Sequence, residues 1–119
     1  MDKDDLAKRT KQFALRIMKL VDALPNTSIG RAIGGQLVRC GTGVGSNYRA
    51  ACRSRSTKEF VSKLGTVLEE ADESIYWIEL IIEGKVLPEK RVDSLVKEAK
   101  EIASIMAKSR ITASKRKDG

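Results

Sequence analysis

Hydrophobic side chains recur at intervals of three and four residues in four segments of the chain. That spacing lines one side of an α-helix, so each segment is predicted to be an amphipathic helix. The predicted helices span residues 4–24, 28–55, 57–83 and 88–107. Because the loops between them are short, the economical architecture is an all-α, antiparallel up-down-up-down four-helix bundle.

The ends of the predicted helices carry recognisable signals. Pro25 ends the first helix, since the residue before a proline is pushed out of the helical conformation. The S-x-x-E sequence from Ser56 to Glu59 is a capping box that opens the third helix, and Gly84 is predicted to be the C′ residue after its last turn. The periodicity stops at Lys108. We therefore predict one domain over residues 1–111 and a basic, disordered tail over residues 112–119.

The second segment, residues 28–55, holds six of the nine glycines, which argues for a loop. Plotted at about 100° per residue, however, its apolar residues from Ile29 to Ala51 fall on one face, which is the predicted core stripe, and its glycines and arginines fall on two others. We therefore predict a helix, with an irregular turn or kink near Gly41–Gly45 because glycine lowers helix propensity. Its glycine face, including Gly34, Gly41 and Gly45, is predicted to let another backbone approach, inside the subunit or across an oligomer interface.

The last two turns of the third predicted helix are apolar nearly all round. Tyr76, Trp77, Leu80 and Ile81 are predicted to point away from the core stripe. A helix end of this kind must be covered by more than its own bundle. We assign these four side chains, together with the glycine face, to an oligomer interface.

Charge and composition narrow the function classes. The chain has no histidine, so the commonest general base and the commonest zinc ligand are absent. The glycine run lacks the lysine and the spacing of a phosphate-binding loop. We predict no catalytic residues, no metal site, no cofactor and no small-molecule substrate. The chain also has no apolar run long enough to span a membrane and no signal-peptide pattern, so we predict a cytoplasmic protein.

The net charge of +7 is unevenly distributed, with +6 over residues 23–58 and −6 over residues 59–83. The basic residues of the second helix and the turn after it form the candidate nucleic-acid site, because guanidinium groups suit phosphates. The candidate residues are Arg31, Arg39, Arg49, Arg53, Arg55 and Lys58. The alternative is that this face pairs with the acidic third helix, in the same chain or in a neighbour. The sequence leaves both interpretations open.

Three stretches in the same order resemble one known protein family. They read QLVRCGTGVGSNYRAA over residues 36–51, RSRSTKEF over residues 53–60 and EADESIYWIEL over residues 70–80. The family is that of the four-helix-bundle proteins encoded by intervening sequences within bacterial 23S rRNA genes. The resemblance covers most of residues 10–107.

The resemblance implies an antiparallel four-helix bundle, commonly a homopentameric ring, with no known catalytic activity. A related bundle serves as an accessory to diversity-generating reverse transcriptases. The chain departs from the commoner family pattern at Ala50, where many relatives carry an acidic residue, so its second helix is more purely basic. The first hypothesis is therefore an oligomeric, non-enzymatic protein that binds RNA, or an RNA–protein complex, through phosphate contacts. The second is a protein-interaction scaffold or accessory subunit that does not bind nucleic acid.

Overall fold

The computed structural model describes residues 1–116 and consists of four helices. Their bounds are Lys3–Ala23 for α1, Ser28–Cys52 for α2, Thr57–Glu83 for α3 and Glu89–Ser114 for α4. No strand occurs in this described part, and the bundle measures 52 × 20 × 20 Å. The predicted all-α four-helix architecture is confirmed. No helix among these residues is both long enough and apolar enough to cross a membrane.

Short polar side chains start the first three helices. The Asp2 carboxylate accepts from the backbone N–H of Asp5, and the Asp5 side chain accepts from Asp2 in return. The Thr27 hydroxyl accepts from the backbone of Gly30 at the start of α2. At α3, Ser56 accepts from the backbone N–H of Glu59, as predicted. Each of these bonds satisfies a backbone donor that the first helical turn leaves without a partner.

The turn after α3 differs by one residue from the prediction. Backbone bonds run from Lys85 to Ile82 and from Val86 to Ile81, which is the Schellman pattern of a helix end. The left-handed position of that motif belongs to Lys85, with φ of 54°, and Gly84 precedes it with an ordinary φ of −81°. Gly84 therefore caps α3 without occupying the position that favours glycine.

Consecutive helices run antiparallel. Between α2 and α3, Arg39 contacts Glu73, and Gly43 lies against the carboxylate of Glu70. Between α3 and α4, the Nζ of Lys100 lies 3.6 Å from Oε2 of Glu79, and the Arg110 guanidinium packs on Gly65. In both pairs, residue numbers rise along one helix as they fall along the other. Helices α1 and α4 complete the ring of four, although their contact is much less extensive than the other three.

The core is a continuous cluster of aliphatic side chains with Phe13 and Tyr48 from α1 and α2. These two aromatic rings are the largest side chains that are almost completely buried. Two polar side chains, Thr10 and Ser74, are also buried, and both donate to backbone carbonyl oxygens of their own helices. Burial of the apolar stripes therefore leaves few internal polar groups to satisfy.

Glycines let α1 and α2 approach closely. A Cβ atom at Gly41 would lie 2.7 Å from Cγ1 of Ile17, and one at Gly45 would lie 3.3 Å from the backbone oxygen of Thr10. Gly34 is buried against Val21 in the same way. The prediction that another backbone approaches the glycine face is confirmed for the interior of the subunit. At Gly34 and Gly41, α1 occupies the place that we had assigned to an oligomer interface.

Three further predictions are wrong. Ile81 is fully buried in the core, with 0% exposure, so it does not point away from the bundle. Ile29, placed in the core stripe of α2, is 64% exposed and lies in the first turn of that helix. Finally, α2 is continuous helix through residues 41–45, without the predicted irregular turn. Packing against α1 compensates for the low helix propensity of glycine there.

Helix α4 extends beyond its predicted end. It continues to Ser114, whereas the apolar periodicity stops at Lys108 and we predicted a disordered tail from residue 112. Two contacts hold this extension, since Ala113 is buried and the Nε of Arg110 donates to the backbone oxygen of Val61 at 3.3 Å. The tail prediction is therefore wrong as far as Ser114, and its last three residues, 117–119, lie outside the described part of the chain.

Candidate nucleic-acid interface

The six basic residues predicted as a nucleic-acid site do not form one cluster. Arg31 lies in the first turn of α2 and Arg53 follows its last turn. The two are separated by about 33 Å along the helix axis, at 1.5 Å per residue. Arg31 donates to Oδ1 of Asn26 at 2.8 Å, in the loop between α1 and α2. One end of the predicted face is therefore engaged with its own loop.

Two arginines of the set form ion pairs with α3. The Nη2 of Arg39 lies 3.1 Å from Oε1 of Glu73, and it also donates to Gln36. The Nε of Arg55, whose side chain is 90% exposed, lies 3.7 Å from Oε2 of Glu59. Lys58 lies exposed beside them and has an interaction of its own. Pairing with the acidic third helix, the alternative that the sequence left open, thus occurs within the chain at Arg39 and Arg55.

Arg49 belongs to a different environment. With Lys8 and Lys11 of α1, it surrounds a groove of about 530 Å³ between α1 and α2. All three residues are exposed. None of their side chains makes a hydrogen bond or ion pair with another residue of the described chain, 1–116. Arg53, one helical turn beyond Arg49, is also exposed and without such a partner there.

Small residues form the floor of this groove. They are Ala7, Ala14, Thr42, Gly45 and Ser46. Because α1 and α2 approach closely at Gly45, no large side chain fills the space above their contact. The groove is therefore shallow and open, with three cationic side chains along it.

Acidic residues are nearly absent from the part of the chain that builds the groove. Between Leu6 and Lys58, which includes nearly all of α1 and all of α2, Asp22 is the only one. The acids of α3 lie across the bundle, where several have partners. Asp2, Asp4 and Asp5 lie at the start of α1, within two turns of Lys8, but none of them forms an ion pair with a cation of the groove within residues 1–116. The potential at the groove is thus expected to be positive.

The acids of α3 form a second surface with two aromatic rings. Glu69, Asp72, Glu73, Tyr76 and Trp77 line a shallow depression of about 510 Å³. The rings of Tyr76 and Trp77 meet edge to face, with centroids 5.4 Å apart. On the same helix, burial raises the pKa of Glu70. Tyr76 is 55% exposed. Of the predicted interface, Tyr76 is thus available to a partner, whereas Trp77 and Leu80 are half-buried.

Sequence reasoning missed Lys8 and Lys11, because it considered only the basic residues of the second helix and of the turn after it. The available signal was the acid-free run from Ala7 to Val21, which contains five basic residues. Among residues 1–116, no group of three or more histidine, cysteine, aspartate or glutamate side chains could hold a metal ion. The charged groups that line the groove are lysine and arginine side chains.

Comparison with known families identifies the chain. The model of the family described as 23S rRNA-intervening sequence protein matches residues 3–108. The chain belongs to this family. A crystal structure from Bacteroides thetaiotaomicron VPI-5482, described as a protein of unknown function from the S23 ribosomal protein family, is similar to this member. The two share 30% sequence identity and a TM-score of 0.83, over 88% of this chain and 97% of the other. No match is found among the curated proteins.

Proposed function

We propose that this member of the 23S rRNA-intervening sequence protein family binds RNA through phosphate contacts in the groove between α1 and α2. Lys8, Lys11 and Arg49 are the proposed phosphate-binding residues. The observation that carries the proposal is that these three cations surround one open groove and have no anionic partner within the described chain. Nothing in the family description or in the structural relative points to an enzymatic activity.

The geometry supports phosphate recognition over base recognition. No aromatic side chain lines the groove, so it offers no stacking platform for unpaired bases. Arginine can bind two phosphate oxygens with its planar guanidinium, while lysine acts as a point charge. The proposed complex is therefore held by contacts that carry little sequence information. Such binding should weaken steeply as salt rises, because each neutralised phosphate releases counterions.

The test compares two single substitutions on the same helix. Arg49→Gln removes an unpaired cation from the groove, whereas Arg39→Gln removes one that is paired with Glu73. We expect Arg49→Gln to weaken binding of a labelled, structured RNA and to reduce the log–log salt slope by about 1, as for one lost phosphate contact. Arg39→Gln should leave the slope nearly unchanged. Fluorescence anisotropy from 50 to 300 mM salt measures both.

Two results would contradict the proposal. One is the absence of RNA binding at the lowest salt concentration. The other is equal loss of affinity in the two variants, which would mean that net charge, and not the groove, determines binding. Thermal unfolding of each variant checks that the bundle is intact, since both substituted side chains lie on the surface.

A second candidate function, a protein-interaction scaffold, is favoured by the surface around Tyr76. A half-exposed aromatic ring beside three carboxylates suits a basic partner, because cations bind both carboxylates and aromatic faces. If self-association depends on this surface, light scattering should give a multiple of 13.1 kDa that falls in Tyr76→Asp. A monomeric wild-type protein with no mass change on adding RNA would exclude both self-association through this surface and the RNA complex.

A further inference from the structure

A second basic groove lies on the other side of α1. Arg16 and Lys19 of α1 and Arg91 of α4 surround a cavity of about 220 Å³ at the seam between those helices. Its floor is apolar and consists of Leu20, Ala23 and Leu95. The Nη2 of Arg16 donates to the Ser94 hydroxyl at 2.9 Å, and the charge of Arg16 also helps to lower the pKa of Glu98. No carboxylate forms an ion pair with any of the three cations within residues 1–116.

Helix geometry places one lysine of each groove along the same exposed ridge of α1. Lys8 of the first groove and Lys19 of the second are eleven residues apart on the continuous helix α1. At 1.5 Å and 100° per residue, they are about 16 Å apart along the axis and only about 20° apart around it. Both therefore point away from the core, in nearly the same direction. The ridge between them carries the half-exposed Leu15 and no acidic residue.

We infer that one double-helical RNA segment lies across α1 and contacts both grooves at once. The inference rests on the proposed RNA binding and goes further by naming the form of the RNA and a second set of contacts. A span of about 16 Å takes several phosphates of a duplex, so a mononucleotide or a single phosphate cannot bridge it. Neither groove has an aromatic side chain on which an unpaired base could stack. Recognition of a duplex by its backbone needs none.

Paired substitutions separate the two grooves. Lys8→Gln with Lys11→Gln removes two charges from the first groove, and Lys19→Gln with Arg91→Gln removes two from the second. The matched control, Lys97→Gln with Lys100→Gln, removes two lysines of α4 that are paired with Asp93 and Glu79 away from α1. All three variants therefore have the same net charge. Their ligands are a 20-base-pair RNA duplex, an unstructured 20-nucleotide single strand and inorganic polyphosphate.

We expect each groove variant to bind the duplex about tenfold more weakly than wild type at 0.1 M salt, with a salt slope shallower by about 1 to 2. The control should change affinity less than about twofold. The duplex should also bind more tightly than the single strand and should not be displaced by polyphosphate at equal phosphate concentration. These results together support a duplex that bridges both grooves.

The outcomes distinguish this inference from the proposed function. If the first-groove variant loses affinity but the second-groove variant behaves as the control, RNA binding stands and the bridging contact is overturned. If neither groove variant differs from the control, both proposals fail. Equal affinity for the single strand, or displacement by polyphosphate, overturns the assignment to duplex RNA. Thermal unfolding of the second-groove variant, and of Lys19→Gln alone, excludes loss of the fold as the cause.

Discussion

Gly41 lies where α2 packs directly on α1, and the structure allows no larger residue there. A Cβ atom would come within 2.7 Å and 2.8 Å of the two γ-carbons of Ile17. Gly41→Ala should therefore destabilise the protein by about 1–3 kcal/mol, the usual cost of overpacking. That cost exceeds the gain of about 1 kcal/mol in helix propensity. The free energy of unfolding in urea, measured by circular dichroism, tests this prediction.

Gly35 on the same helix provides the control. It is exposed, and a Cβ atom there would have no neighbour within 4 Å. Gly35→Ala should therefore stabilise the protein by up to about 1 kcal/mol through helix propensity alone. If both substitutions stabilise, the glycines do not set the distance between α1 and α2. The opposite signs expected at two glycines on one helix make the comparison independent of how α2 behaves in the unfolded chain.

For single residues, the sequence predicted that the glycines pack closely against another element, but not which element that is. The helical angles placed Gly34, Gly41 and Gly45 on one close-packing face, and all three meet α1 there. Angles around one helix do not reveal which neighbour occupies a face, so a second subunit was an equally valid partner. Ile81 was misplaced for a related reason. Near the end of α3 the apolar side chains surround the helix, and periodicity alone cannot select the buried ones.

Among the elements, α1 and α4 have the least extensive contact, and it includes a polar clamp. The Nε and Nη2 of Arg9 donate to the two carboxylate oxygens of Glu98 at 2.8 and 2.7 Å, and Nη2 also lies 2.9 Å from Glu101. Both Arg9 and Glu98 are about four-fifths buried. These hydrogen bonds lower the pKa of Glu98 below its ordinary value of 4.5, against the opposing effect of burial. The same contacts raise the pKa of Arg9.

The lowered pKa of Glu98 determines how the stability of the protein depends on pH. A carboxylate with a lowered pKa in the folded state contributes stability above its unfolded pKa and loses it as pH falls through the folded value. Glu98→Gln should therefore cost about 1–3 kcal/mol at pH 7, because it removes a charge-assisted, bidentate contact. The difference from wild type should shrink progressively below pH 4.5. Urea unfolding at pH 7 and at pH 3.5–5 measures it.

Glu83→Gln is the appropriate control for this clamp. Glu83 is an exposed glutamate at the end of α3, so its substitution should change stability by less than about 0.5 kcal/mol at pH 7. A pH-independent difference for Glu98→Gln would show that shape, and not ionisation, determines the contact. A loss as small as that of the control would show that the α1–α4 seam does not depend on the clamp.

The ends of the elements were predictable only where the signal is local. Thr27 and Ser56 cap their helices through side chains that the sequence shows directly. The extension of α4 to Ser114 depends instead on the contact of Arg110 with the backbone of Val61, 49 residues away. The pattern of apolar residues within 108–114 does not predict such a contact. Tertiary packing stabilises this last part of α4, as it does most helices in proteins.

For the whole molecule, the charge pattern predicted a basic half and an acidic half, but not where they would be neutralised. In the sequence, Arg39 and Arg49 look equivalent, because both belong to the basic face of the predicted second helix. In the bundle, Arg39 faces Glu73 of α3, while Arg49 faces Lys8 and Lys11 of α1. Which exposed residues of two helices adjoin depends on how the helices are rotated against each other. The groove therefore required the structure, although its acid-free composition is visible in the sequence.

That asymmetry predicts which lysines RNA should protect. Lys8, Lys11 and Lys19 lie on the nearly acid-free hairpin of α1 and α2, whereas the lysines of α3 and α4 that serve for comparison each pair with a carboxylate. These are Lys63, Lys97 and Lys100.

Acetylation at limiting reagent, read by mass spectrometry with and without duplex RNA, should slow severalfold at Lys8, Lys11 and Lys19. It should remain unchanged at the three lysines that pair with carboxylates. Raising the salt concentration should restore the reactivity of Lys8, Lys11 and Lys19, because salt screens the phosphate contacts and makes the release of counterions on binding less favourable. Equal protection of both sets would mean that RNA binds the molecule without regard to face, and protection of Lys97 or Lys100 alone would place the complex on the opposite side of the bundle.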